Sequence, residues 1–265
     1  MNKFIRIIQT LFGVPWLVFG AQHFWYVDFV ANLVPAYFPA RWFWVYLTGA
    51  AMIAAGISFI VNRKSALAAA LLGVMLLIFI LLLHTSTIAK DSSNIINWTR
   101  ALQDLAIAAS CFMLAGSLSK RESEQDVLKK ISNLSRYVFA ALLIVFGIQQ
   151  FFNLDFLTAK VPEYLPLRIF WVYLTGIAMI AAGASVFINK KARTAAIALG
   201  TFLLILNALR YAPLFLSGAY NALLLTAAML DLAITCGVFI LACALPRGEK
   251  LTGEKAVGAF EEPDA

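Results

Sequence analysis

The sequence predicts an all-α membrane protein, with eight transmembrane helices arranged as two parallel-repeat four-helix bundles. Composition, the number of long apolar stretches and an internal duplication lead there. Hydrophobic residues make up 62% of the chain and charged residues 13%, against about 25% charged in ordinary soluble domains. A soluble fold of this size could not bury so much apolar surface, so the lipid bilayer is expected to be part of its solvent. The net charge of +7 would suggest nucleic acid in a soluble domain. Here the basic residues sit in short clusters between apolar runs, the pattern that orients membrane helices, and no nucleic-acid partner is expected.

The duplication is explicit. Segment 44–58 reads WVYLTGAAMIAAGIS and segment 171–185 reads WVYLTGIAMIAAGAS, identical at 13 of 15 positions at an offset of 127. The same offset carries Gly20-Ala21-Gln22-His23-Phe24 onto Gly147-Ile148-Gln149-Gln150-Phe151, Val34-Pro35 onto Val161-Pro162, and Asp104 onto Asp231. An ungapped correspondence of that length is a repeat.

Each copy holds four apolar stretches: about 4–27, 43–61, 66–87 and 98–117, then about 137–153, 170–188, 193–212 and 218–245. Crossing the hydrocarbon core takes around 20 helical residues, and helices are required because unpaired backbone is intolerable in lipid. The first copy is placed at 1–117 and the second at 137–245, joined by a charged cytoplasmic linker at 118–136 and followed by a polar, disordered cytoplasmic tail at 246–265. Lys3 and Arg6 before an apolar run could be taken for a signal peptide; because the counterpart of that run is internal, the first helix is expected to be retained. Of the 21 Lys and Arg residues, 15 fall on the side of the N-terminus and 6 on the other, which places both termini in the cytoplasm. With four helices per copy, both copies insert the same way up.

The unusual residues gather at the opposite, outer ends of the helices. V-P-x-Y-x-P occurs at 34–39 and again at 161–166, each followed by aromatics; prolines four apart do not fit a helix interior, and these segments are expected to cap the bundle or cover a pocket. Asp104 and Asp231 lie inside spanning stretches, where an ionisable group is costly and marks a candidate site. Arg100, one turn before Asp104, can pair with it on one face; its counterpart is Ala227, and the cation near Asp231 is Arg210. Gln22, His23, Gln149, Gln150, His84, Tyr46 and Tyr173 complete the candidate ligand-binding set, with no catalytic or metal-binding residue assigned. Bis-histidine ligation of a haem or metal by His23 and His84 is a further possibility, but Gln150 and Tyr211 stand at the corresponding places, so haem is not expected. Cys111, Cys236 and Cys243 lie in apolar runs without a C-x-x-C pair and are read as small buried hydrophobes. Since the copies differ mainly at these outer polar positions, the first is expected to bind ligand and the second to serve as scaffold.

Taken together, G-x-x-H-F, V-P-x-Y-x-P and W-x-Y-x-x-G-x-x-x-x-x-x-G on a unit of four helices resemble the DoxX-like membrane protein family, in both copies. The resemblance implies a multi-pass protein of a bacterial cytoplasmic (inner) membrane and an association with membrane redox complexes. Many relatives carry an acid just after the glycine of the second helix; Ala51 and Met52 stand there instead, so a role resting on that acid does not transfer. The expected function is an accessory subunit of a membrane redox system, binding a small or lipid-like molecule of the quinone class in an outer-leaflet polar cavity, without catalysis of its own and with a membrane or periplasmic redox partner. A small-solute transporter and a structural or assembly subunit are the alternatives. No mid-membrane helix break is evident to favour transport.

Overall fold

The computed structural model describes residues 3–35, 37–119, 122–219 and 221–246. Residues 120–121 of the linker and 247–265 of the tail lie outside the described residues. Eight helices are long and apolar enough to span a membrane: α1 (Lys3–Trp25), α2 (Arg41–Val61), α3 (Ser65–Lys90), α4 (Ile95–Leu118), α5 (Glu122–Phe152), α6 (Arg168–Ile188), α7 (Ala192–Leu216) and α8 (Ala222–Ala244). Two five-residue helices, Val27–Ala31 and Leu154–Thr158, follow α1 and α5. Among the described residues there is no strand.

Two helices differ from their expected bounds. α5 starts within the charged segment assigned to the linker and runs for 31 residues. That segment is polar but contains neither Gly nor Pro, so nothing stops a helix from extending beyond its apolar part. α7 continues through Pro213 to Leu216.

Contacts recur at the offset of 127. The Trp44 indole donates to the Pro39 carbonyl, and Trp171 to that of Pro166. Asn94 and Asn221 cap the starts of α4 and α8 with their side-chain oxygens, a role that suits Asn because it satisfies otherwise orphaned N–H groups. Asn62, Lys64, Asn189 and Lys191 all adopt left-handed backbone in the α2–α3 and α6–α7 turns. Gly20 and Gly49 bring α1 and α2 together so closely that a Cβ on Gly20 would lie 2.7 Å from the Gly49 carbonyl oxygen; one on Gly147 would meet the Gly176 oxygen at 2.7 Å. Small residues permit such approaches in lipid.

The helices form one closed ring. Each packs on its chain neighbours, α1 packs on α8, and α4 and α8 meet across the middle. The helices of the two expected four-helix bundles therefore share one ring. α1 finds its long-helix partners in α2 and α8, and α4 in α3, α5 and α8. Once α5 of the second copy docks on α4 of the first, the duplication makes α1 on α8 the equivalent contact, and the ring closes. α4 and α8 are the most buried spans with α2 and α6 intermediate, while α3 and α7 are the least covered. Ala108, Cys111, Cys236 and Ile240 are fully enclosed between them and their neighbours.

Candidate functional site

A cavity of about 1780 Å³ opens at the end of the ring away from the N-terminus, lined by all eight long helices and both short ones. Its deeper wall is apolar, with Trp16, Phe19, Met75, Ile107, Phe146 and Met179. The proline-containing segments contribute Val34, Phe38, Pro162 and Leu165. These segments are fastened to neighbouring helices: the Tyr37 hydroxyl donates to the Leu82 carbonyl at 3.2 Å, and Tyr164 does the same to Leu209.

Nine of the eleven candidate residues line this one cavity: Gln22, His23, His84, Arg100, Asp104, Gln149, Gln150, Arg210 and Asp231. Tyr46 and Tyr173 do not. They are partly exposed on α2 and α6, with rings against Phe24 and Phe151 at centroid distances of 5.4 and 5.6 Å. The reason is helical phase: Thr48 and Thr175, two residues further on, line the cavity in their place.

The partner expected for Asp104 also changes. His84 Nε2 lies 2.8 Å from Asp104 Oδ2, across the α3–α4 contact, and Arg100 is exposed elsewhere on the cavity wall. An exposed i,i+4 pair is worth only about 0.2–0.5 kcal/mol, so a partner from the facing helix readily replaces it. His84 closes a π-helical turn, Ile80–His84, in the C-terminal half of α3. Such turns are rare and gather at functional sites; the sequence ILLLH carries no Gly or Pro to announce it. The corresponding turn of α7 is ordinary α-helix.

In the second copy the Tyr211 hydroxyl donates to Asp231 Oδ2 at 2.6 Å, and Arg210 reaches the same oxygen at 3.3 Å. Asn207 donates to Thr235 Oγ1 at 2.9 Å, and Thr235 donates to the Asp231 carbonyl. Lys160, on the connection after α5, also lines the cavity, its ammonium 3.9 Å from the centre of the Phe156 ring. Desolvation and the neighbouring Arg210 hold that ammonium below the usual lysine range, with Asp231 acting the other way. Lys160 was countable in the sequence as an outer-side cation, but its counterpart is Leu33, so the repeat gave no reason to select it.

The two copies meet at Gln22, whose side-chain amide donates to the Ala222 carbonyl and accepts from the Thr226 hydroxyl, both at 3.2 Å. His23 Nδ1 lies 2.7 Å from the Phe19 carbonyl oxygen. A carbonyl only accepts, so that nitrogen carries the proton. No group of three His, Cys, Asp or Glu among the described residues is placed to hold a metal ion. Both acids face one cavity, which residues of both copies line.

Comparison with known proteins adds one finding. Residues 139–210 match a family described as a domain of unknown function, DUF8561. The matched part runs from α5 through most of α7 and includes Lys160 and Arg210, but not Asp231. No curated protein and no solved structure matches the chain.

Proposed function

We propose that this chain is a tandem DoxX-like protein of a bacterial cytoplasmic membrane, an accessory subunit of a membrane redox system that binds a lipid-like molecule of the quinone class in its outer-leaflet cavity. In this reading the copies at 1–117 and 137–245 insert the same way up, with both termini cytoplasmic, and a redox partner docks from the membrane or the periplasm. The cavity itself carries the reading. It has an apolar wall, a few polar groups at one end and a volume of about 1780 Å³, more than the roughly 300–1,000 Å³ of small-molecule pockets and enough for a ring with a hydrocarbon tail. Lys160, Arg100 and the N–H groups of Arg210 not used on Asp231 supply hydrogen-bond donors there, which suits carbonyl oxygens.

The test is binding of a short-tailed benzoquinone to the purified chain in nanodiscs, followed by emission of Trp16, which is buried and lines the cavity. Saturable quenching that weakens in Lys160→Gln and Arg100→Gln is expected. Absence of saturable quenching, with no redox protein cross-linked in native membranes, would remove the proposal. The π-helical turn beside His84 favours transport as a second reading, since interrupted helices commonly form transporter sites.

A further inference from the structure

The charges in the cavity do not follow the repeat. The second copy contributes Lys160 and Arg210, at positions where the first has Leu33 and Leu83; the first contributes Arg100, where the second has Ala227. All three cations line the same cavity as Asp104 and Asp231. Both carboxylates are already engaged, Asp104 by His84 and Asp231 by Tyr211 and Arg210. Arg210 is near enough to Lys160 to disfavour its ammonium. Three cations against two carboxylates leave an excess of positive charge over an apolar wall, which an anionic group would offset.

We infer that the cavity takes an amphiphile with an anionic head, a carboxylate or a phosphate, bound at Lys160 and Arg210 with Arg100 lining the same cavity, its hydrocarbon tail lying along Trp16, Phe19, Met75 and Ile107. This rests on the cavity being the site of a lipid-like molecule and narrows the occupant to one with a negative head. Guanidinium groups suit the head because they present paired donors to carboxylate or phosphate oxygens. Phe146 and Met179 extend the apolar wall, so a chain of a dozen carbons need not leave the protein.

The experiment uses the full chain in neutral phosphatidylcholine nanodiscs, with 12-bromododecanoic acid and 12-bromododecan-1-ol as probes. Bromine quenches indole on contact, and Trp16 is 1% exposed, so it is shielded from probe that merely dissolves in the bilayer. The saturable component should vanish in Trp16→Phe. The acid should bind about ten-fold more tightly than the alcohol, the scale of one charge-assisted hydrogen bond. Lys160→Gln and Arg100→Gln should each reduce that preference several-fold. Neither removes a hydrogen-bond partner from a carboxylate, so both test the idea even if Arg210→Gln fails to fold. Acetate that competes at millimolar concentration would identify a small free anion as occupant and overturn the amphiphile. Loss of acid binding in anionic phosphatidylglycerol nanodiscs would mark the bilayer's own lipid as the source of the head; unchanged binding would mark a free acid. Equal affinity for acid and alcohol, or unchanged preference in both Gln variants, overturns the inference. Adding the short-tailed benzoquinone separates the two failures. If it binds while the acid shows no preference, the inference falls and the quinone reading stands; if the acid binds as described and the benzoquinone neither binds nor competes, the reverse holds.

Discussion

His84 and Asp104 face each other across α3 and α4 with 2.8 Å between Nε2 and Oδ2, and 127 residues further on Tyr211 donates to Asp231 in the same relation at 2.6 Å. An imidazole and a phenol thus perform the same task, supplying one donor to a carboxylate within a membrane span. Replacing either donor by a residue that cannot reach should cost about 0.6–1.7 kcal/mol, the range for interhelical polar contacts in membranes. His84→Ala and Tyr211→Phe are therefore expected to lower the unfolding midpoint in detergent modestly, while His84→Tyr should restore most of the loss in the first copy. If His84→Tyr is as unstable as His84→Ala, the two positions are not equivalent.

Much of this arrangement was legible in the sequence. Composition and eight apolar stretches suffice for eight helices, and the offset of 127 pointed to Asp104 and Asp231 as corresponding positions. What pairs with Asp104 was not legible, because the choice between Arg100 and His84 depends on how α3 lies against α4. The π-helical turn that ends on His84 has no marker residue. Tyr46 and Tyr173 were misplaced because their aromatic character fits the headgroup level and a cavity equally well; only helical phase distinguishes the two. Nor does a repeat reveal whether its copies fold separately or interleave, since both use the same apolar faces.

The basic residues lead to an expected topology. Reporter fusions after residues 64, 125 and 255 are expected to give cytoplasmic signals, and fusions near 36, 92 and 163 signals from the opposite side. A cytoplasmic signal at residue 36 would invert the molecule and place the cavity mouth in the cytoplasm.

The close pairing of α1 with α2 depends on glycine. A Cβ at Gly20 would lie 2.6 Å from Ile53 Cγ1 and 2.7 Å from the Gly49 oxygen, and backbone cannot yield as a side chain does. Gly20→Ala and Gly147→Ala should each destabilise by about 1–3 kcal/mol, the usual cost of overpacking. Wild-type midpoints for both variants in thermal unfolding would mean that the helices are more loosely held than described.

The closed ring can be tested chemically. Gln22 and Thr226 are in hydrogen-bond contact from opposite ends of the chain, although they belong to different copies. With Cys111, Cys236 and Cys243 replaced by Ala, Gln22→Cys combined with Thr226→Cys should be joined by a short bis-methanethiosulfonate, which forms a disulfide with each thiol. After proteolytic cleavage in the 118–126 region, the two halves should then migrate together until the link is reduced. Two side-by-side bundles would separate.

Lys160 gives a prediction with a sign for each neighbour. Its ammonium is lowered first by desolvation and then by Arg210, while Asp231 raises it. Acylation of its amine should therefore reach half-maximal rate at a lower pH than for an ordinary lysine. Arg210→Gln removes a lowering cause and should move the profile up; Asp231→Asn removes a raising one and should move it down. The same shift bears on stability. Between the lowered folded value and the ordinary lysine value, the unfolded chain holds the proton that the folded chain has released, so stability rises with pH across that window. Below it both states are protonated, and the dependence on this group disappears. Peptide-resolved mass spectrometry of the acylated chain reads the Lys160 profile directly. A profile at the ordinary lysine position, or one that Arg210→Gln leaves in place, would show that Lys160 and Arg210 do not share a site.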